Sequence, residues 1–304
     1  MSLAATSASQ TPPFGRVSTA MITPFRPDGS LDLDAAQKIA NHLVDHGNDT
    51  LVISGTTGES PTTTDDEKIQ LLRAVLAAVG DRAQVVAGVG SNNTAHSVES
   101  AKAAEAAGAN GLLVVTPYYN KPPQAGIKAH FFAVADATGL PVIAYDIPGR
   151  TGVPILTDTL LALAEHPRIV AVKDAKGDIA GTTKVLANSD LAYYCGADEL
   201  NLALLSIGAV GITSVVSHVA SEQYREMIAA VTAGDLATAQ QIDRQLVPAV
   251  EAIMTRTQGA IMVKAALQLT GVIEHRTTRA PLVDATPEQI DWLTTDLKTA
   301  GLIA

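Results

Sequence analysis

The chain is 304 residues long, with 31 acidic and 21 basic side chains and a formal charge of −10 before histidine. Hydrophobic residues make up 47% and charged residues 17%, which excludes collagen-like, disordered and coiled-coil chains and fits two average domains or one large barrel. The acidic balance opposes phosphate backbones, and no apolar run approaches the roughly 20 residues that span a bilayer, so neither nucleic acid nor membrane is expected as a partner.

The opening stretch 1–15, MSLAATSASQTPPFG, lacks a basic segment followed by an apolar one, and is expected to be a flexible lead-in rather than a secretory signal. From residue 16 the chain repeats a short apolar run, a turn, and a segment of helical period. The expected strands are 17–23, 50–54, 84–89, 111–116, 141–147, 169–174, 191–195 and 210–215. Helical patterns between them include 32–47, 65–80 and 94–108, with Asp65 and Thr94 expected as N-caps and Gly47, Gly80 and Gly108 at the C-terminal ends. Eight strand–helix units in series predict a (β/α)8 TIM barrel over 16–233 in preference to an open doubly wound sheet. Residues 221–234 suit the eighth barrel helix, and 234–304 are expected to form a C-terminal helical domain. Its last helix should begin at Thr286, where Gln289 completes a capping box and Pro287 takes the first helical position.

In such a barrel the chemistry belongs to the loops at the carboxyl ends of the strands. Lys173 interrupts the apolar run IVAVKD, and strand alternation places Ile169, Ala171 and Lys173 on one face. If that face lines the barrel, desolvation favours the neutral amine that imine chemistry needs; if not, the ammonium reaches water at the strand end. The loop GTTGES (55–60) offers two hydroxyls framed by glycines, though hydroxyls after a strand more often cap the next helix. Tyr145 and Arg150 flank a proline–glycine turn, where a phenol can relay protons and a guanidinium can grip a carboxylate; buried packing and a surface cation are the ordinary alternatives. The seven histidines form no HExxH pair, Cys195 is the only cysteine, and no GxSxG elbow occurs, so no metal, disulfide or serine nucleophile is expected. A lone cysteine suits a reducing compartment, and the cytoplasm is the expected location.

Taken together, GTTGES (55–60), PYYNKP (117–122), YDIPGRTG (145–152) and VKDAKGD (172–178) resemble the dihydrodipicolinate synthase family, in register from residue 16 to the C-terminal helices. The resemblance implies a lyase that condenses pyruvate with aspartate semialdehyde to 4-hydroxy-tetrahydrodipicolinate, on a TIM barrel assembled as a homotetramer of two tight dimers. It implies an imine between pyruvate and Lys173, with no cofactor. Tyr145 would shuttle protons, and Thr57 would link it to Tyr119 of a neighbouring subunit. Thr56 would bind the pyruvate carboxylate and Arg150 the semialdehyde carboxylate. Gly196 would leave room beside the imine. Thr213 stands where family members usually carry isoleucine, with a modest expected effect on proton handling. Sialic acid lyases and ketodeoxygluconate-type aldolases share the lysine but take polyol aldehydes, and Arg150 favours the short acidic one; a catalytically silent, acid-binding barrel is the remaining alternative. Lys68 and His96 replace residues associated with lysine inhibition in sensitive members, so weak feedback is expected.

Overall fold

Strands of four to six residues form β1 (Val17–Ala20), β2 (Thr50–Ile53), β3 (Gln84–Gly88), β4 (Gly111–Val115), β5 (Val142–Asp146), β6 (Ile169–Asp174), β7 (Ala192–Cys195) and β8 (Gly211–Ser214) in a computed structural model that describes residues 12–304. Each pairs in parallel with the next, and β8 pairs with β1, closing the expected TIM barrel. Every expected strand forms, one to three residues shorter than its apolar run except at β6, because the trailing residues turn into the loops.

Alternation along the strands divides the core in two. Val52, Val86, Leu113, Ile143, Ala171 and Ala192 fill the interior, while Leu51, Val85, Leu112, Val142, Val172 and Ile212 pack under the helices. Ile169 departs from the expected face. The β5–β6 register shifts between Val142 and Ile143, so Ile169 joins the outer core and Val170 packs inward, while Ala171 stays on the interior face.

Of the expected lead-in, residues 1–11 lie outside the described residues, but Phe14 is packed rather than free. It belongs to the interior cluster, and its N–H donates to the Tyr194 hydroxyl at 3.0 Å. A side chain at Gly111 would meet its ring at 2.6 Å, so only glycine admits this plug.

The helices are α1 (Leu33–Asp45), α2 (Asp65–Val79), α3 (Thr94–Ala106), α4 (Gln124–Asp136), the single turn α5 (Pro148–Thr151), α6 (Thr157–Ala164), α7 (Ile179–Asn188), α8 (Asn201–Ser206), α9 (Ser217–Thr232), α10 (Leu236–Val250), α11 (Gly259–Leu269) and α12 (Pro287–Thr299). Two expected caps move by one residue. Thr64, not Asp65, caps α2 in a reciprocal box with Glu67, and Asn93, not Thr94, caps α3, because the residue just before the first helical one has the extended backbone a cap needs. Gly47 and Gly108 adopt the left-handed conformation (φ 92° and 97°), whereas Gly80 stays right-handed. Thr286 and Gln289 form the expected box with Pro287 first in α12. Pro248 near the end of α10 removes one helical donor, and the chain widens into a π-turn at Glu251–Thr255 before α11. Among the described residues no helix is long and apolar enough to cross a membrane.

Candidate active site

At the carboxyl end of β6, alternation from Ala171 turns Lys173 into the barrel, where it is only 4% exposed. Its neighbours in register are Tyr145 on β5 and Tyr194 on β7. The Lys173 Nζ lies 4.3 Å from the centre of the Tyr145 ring, so amine and phenol share one buried corner. A Cβ at Gly196 would stand 2.8 Å from both Cγ and Cε of Lys173, so the missing side chain is what admits the lysine.

Both strand ends are pinned from the outer face. Asp146 accepts the Ile155 N–H at 3.1 Å and pairs with Lys176 at 3.1 Å, while Lys176 donates to the Ile155 carbonyl at 2.9 Å. Burial raises the Asp146 carboxyl above its usual range, with Lys176 opposing the shift. Asp174 accepts from the N–H groups of Lys176 and Gly177 and from the Thr182 hydroxyl at 2.8 Å. At the end of β8, Asp198 accepts the N–H groups of Val215 and Val216 at 2.9 and 3.2 Å, with the Ser214 hydroxyl also bonded. Asp146 and Asp174 directly follow Tyr145 and Lys173 inside YDIPGRTG and VKDAKGD, and Asp198 stands two residues after Gly196; an acid beside each site residue is the signal in the sequence that marks them.

The loop GTTGES leaves β2 through Ser54 and reaches Glu59 just before its last residue, and both Ser54 and Glu59 are left-handed with φ 53°. It is knitted by Glu59 N–H to the Thr56 carbonyl (3.1 Å), Ser60 N–H to the Gly55 carbonyl (3.2 Å) and the Thr23 hydroxyl to the Gly58 carbonyl (2.6 Å). A cavity of about 640 Å³ opens above it, and its wall joins Thr56, Tyr119, Tyr145 and Arg150. Lys173, Thr57, Gly196 and Thr213 are not on that wall; Lys173 lies against the Tyr145 ring and Gly196 against Lys173, and Thr57 is buried. Thr213 is buried on β8, where Ile212 belongs to the outer core, so alternation turns Thr213 inward.

Among the described residues, Thr57 makes no hydrogen bond to Tyr145 or Tyr119, and no carboxylate pairs with the exposed Arg150 at the mouth. Tyr119 is 88% exposed on a left-handed backbone (φ 73°), an arrangement a non-glycine residue adopts only under local constraint. The Cys195 thiol is buried and pushed far up by desolvation, which removes it as a nucleophile. No group of three or more His, Cys, Asp or Glu side chains among the described residues could hold a metal ion.

The profile of the Dihydrodipicolinate synthetase family matches residues 13–300. The chain belongs to that family. It is 64% identical over 298 residues to the 4-hydroxy-tetrahydrodipicolinate synthase of Kineococcus radiotolerans, covering 98% of this chain and 97% of the relative. Among solved structures it superimposes on dihydrodipicolinate synthase of Bacillus anthracis with TM-score 0.91 at 41% identity, covering 94% of this chain and 98% of the other. The lysine-bound dihydrodipicolinate synthase of Cyanidioschyzon merolae gives TM-score 0.93 at 41% identity, over 96% and 99% of the two chains.

Behind Ser54 and Gly88, which line the main cavity, the wall also borders another hollow. A second cleft of about 310 Å³ is lined by Asp65, Lys68, His96 and Glu99. In it Asp65 already binds His96 at 2.8 Å and Lys68 at 3.4 Å, and the His96 contact is the main cause that holds its carboxyl below the usual range.

Proposed function

We propose that this 4-hydroxy-tetrahydrodipicolinate synthase works by covalent catalysis at Lys173, with pyruvate and aspartate semialdehyde as substrates. The observation that carries the reading is the buried Lys173 amine beside the Tyr145 ring, in space that Gly196 leaves open. The neutral amine attacks the keto carbon of pyruvate, and Tyr145 delivers the proton with which the carbinolamine hydroxyl departs as water. The protonated imine then accepts the electron pair released when a methyl proton is lost, giving an enamine. That enamine attacks the aldehyde carbon, and its oxygen takes up a proton. The amino group of the adduct finally attacks the imine carbon and displaces Lys173, which closes the ring and frees the enzyme. The lysine supplies the electron sink, so no metal or organic cofactor enters these steps.

Thr56 and the backbone of its loop hold the pyruvate carboxylate, and Arg150 at the cavity mouth holds the carboxylate of the semialdehyde in two-pronged fashion. A polyol aldehyde would leave that guanidinium without its anion, which favours the acidic substrate over the other pyruvate-imine aldolase reactions. Thr57 would link Tyr145 to Tyr119 of a neighbouring subunit in the assembled enzyme, a bond that the single chain does not make, and the exposed, constrained Tyr119 fits a residue placed to enter a partner's site. The working assembly is then a tight dimer, paired into a homotetramer. Thr213 beside the imine tunes proton handling modestly. The buried, unpaired Cys195 suits a cytoplasmic enzyme.

Borohydride reduction with pyruvate should add the pyruvate skeleton to Lys173, and Lys173→Ala should lose both the adduct and turnover. Mixing Lys173→Ala with Tyr119→Phe should restore part of the activity through hybrid dimers. An adduct on another lysine overturns the nucleophile, and no rescue despite measured subunit exchange overturns the shared site.

A further inference from the structure

The segment from α11 onward takes no part in the chemistry above, yet two of its cations reach the GTTGES loop. Lys264 on α11 is fully buried and donates to the Glu59 carboxylate and, at 2.7 Å, to the Thr277 carbonyl. The other Glu59 oxygen accepts the Arg279 N–H at 2.9 Å. The Arg279 side chain then spans three further segments: it donates to the Gly29 carbonyl at 2.8 Å, to the Thr62 carbonyl at 2.8 Å, and with both terminal nitrogens to the Glu67 carboxylate that caps α2. The Phe25 ring lies between the cations, 4.3 Å from Lys264 Nζ and 4.2 Å from Arg279 Cζ.

A buried ion pair is a poor source of net stability compared with apolar packing, but its directional bonds restrict the groups that make it. What is restricted here is Glu59, whose left-handed backbone needs outside contacts to persist and whose N–H binds the Thr56 carbonyl. We propose that Glu59, Lys264 and Arg279 are positioning residues: the C-terminal segment clamps the far end of GTTGES so that Thr56 and its neighbouring backbone are preset for the pyruvate carboxylate. This rests on the reading of that loop as the pyruvate subsite. The clamp acts on pyruvate capture and leaves the aldehyde end of the site, carried by Arg150 on the β5 loop, unaffected.

Two variants test it. Arg279→Met keeps an apolar stem over Phe25 and removes the donors. The double variant Lys264→Met/Glu59→Gln removes both buried charges together, so neither is left unpaired. In each, the KM for pyruvate should rise about tenfold while kcat at saturating pyruvate and the KM for the aldehyde stay within about twofold, because a loop displaced by a fraction of an ångström misplaces one ligand. A purely structural clamp would instead lower kcat in step with the fraction of protein that borohydride can trap, with both KM values unmoved, and that result overturns the proposal. Thr56→Val serves as the control for the subsite. If it raises the KM for pyruvate while the clamp variants do not, the clamp alone falls; if it does not, the subsite assignment falls as well.

Discussion

Gly196→Ala probes the space that makes Lys173 usable. The added methyl would stand 2.8 Å from Cγ and Cε of Lys173 and 3.3 Å from the Asp174 carbonyl oxygen. Carbon atoms settle about 3.5–4.0 Å apart, so the lysine must retreat by roughly 1 Å. The strand cannot yield easily, because Asp174 is fixed by three hydrogen bonds and Gly196 N–H binds the Asp174 carbonyl at 2.7 Å. A misplacement of about 1 Å at a reacting atom costs on the order of 100-fold in rate, while overpacking of one methyl destabilises by about 1–3 kcal/mol. The expected result is therefore a folded protein, its melting temperature lowered by several degrees, with kcat and the rate of borohydride trapping both down by about two orders of magnitude. A coupled assay that follows product through a nicotinamide-dependent reductase reads the first, and intact-mass spectrometry the second. Trapping at the parent rate in a stable Gly196→Ala protein would refute the reasoning, since the lysine would then have room to spare.

Two further outcomes follow from charges outside the main cavity. Arg279 pulls the Glu67 carboxyl from the usual 4.5 down to about 2, so its contribution to stability is complete above pH 4.5 and is lost as pH falls toward 2. The urea midpoint of Glu67→Gln should thus lie below the parent's at neutral pH and converge with it in acid; a gap that persists unchanged at pH 2 would exclude the linkage. In the cleft of Asp65, Lys68 and His96, the acid is already engaged by two partners of its own chain, which leaves little to attract a free amino acid's ammonium. Added lysine should inhibit weakly or not at all, and steady-state inhibition at sub-millimolar lysine would contradict that.

The barrel was legible because apolar runs and glycine turns recur eight times, and because each run is rich in residues that fill a doubly covered strand. Local competition accounts for the misplaced details. Asp65 resembles a cap, but Thr64 with Glu67 three residues on makes the reciprocal pair, and two cap signals side by side cannot be ranked without the backbone. The face of Ile169 was misjudged because a register shift between neighbouring strands leaves no mark in an unbroken apolar run. Phe14 was read with the polar stretch before it, although its partners Tyr194 and Gly111 lie far along the chain. Thr56, Tyr119, Tyr145 and Arg150, from three of the strand-end motifs, line one cavity wall, since barrel topology gathers strand ends whatever their spacing in sequence.

The contrast between Lys173 and Lys264 marks the limit of that legibility. Both interrupt apolar runs, IVAVKD and GAIMVKAALQL, and both are buried in the folded chain. Lys173 lies at the carboxyl end of a barrel strand, where the chemistry of such a fold belongs, whereas Lys264 lies within a helix, and their surroundings differ as well. Lys264 donates to a carboxylate and a carbonyl; burial lowers its pKa and Glu59 opposes that shift, and an amine tied to two fixed acceptors is placed to hold a loop rather than to meet a ketone. Lys173 has no carboxylate partner among the described residues; it faces the Tyr145 ring and occupies the space that the missing side chain of Gly196 leaves. On the proposed reading the same amine serves as nucleophile in one position and as clamp in the other, and the surroundings that distinguish them come from elsewhere in the sequence: Gly196 and Tyr145 for the first, Glu59 for the second.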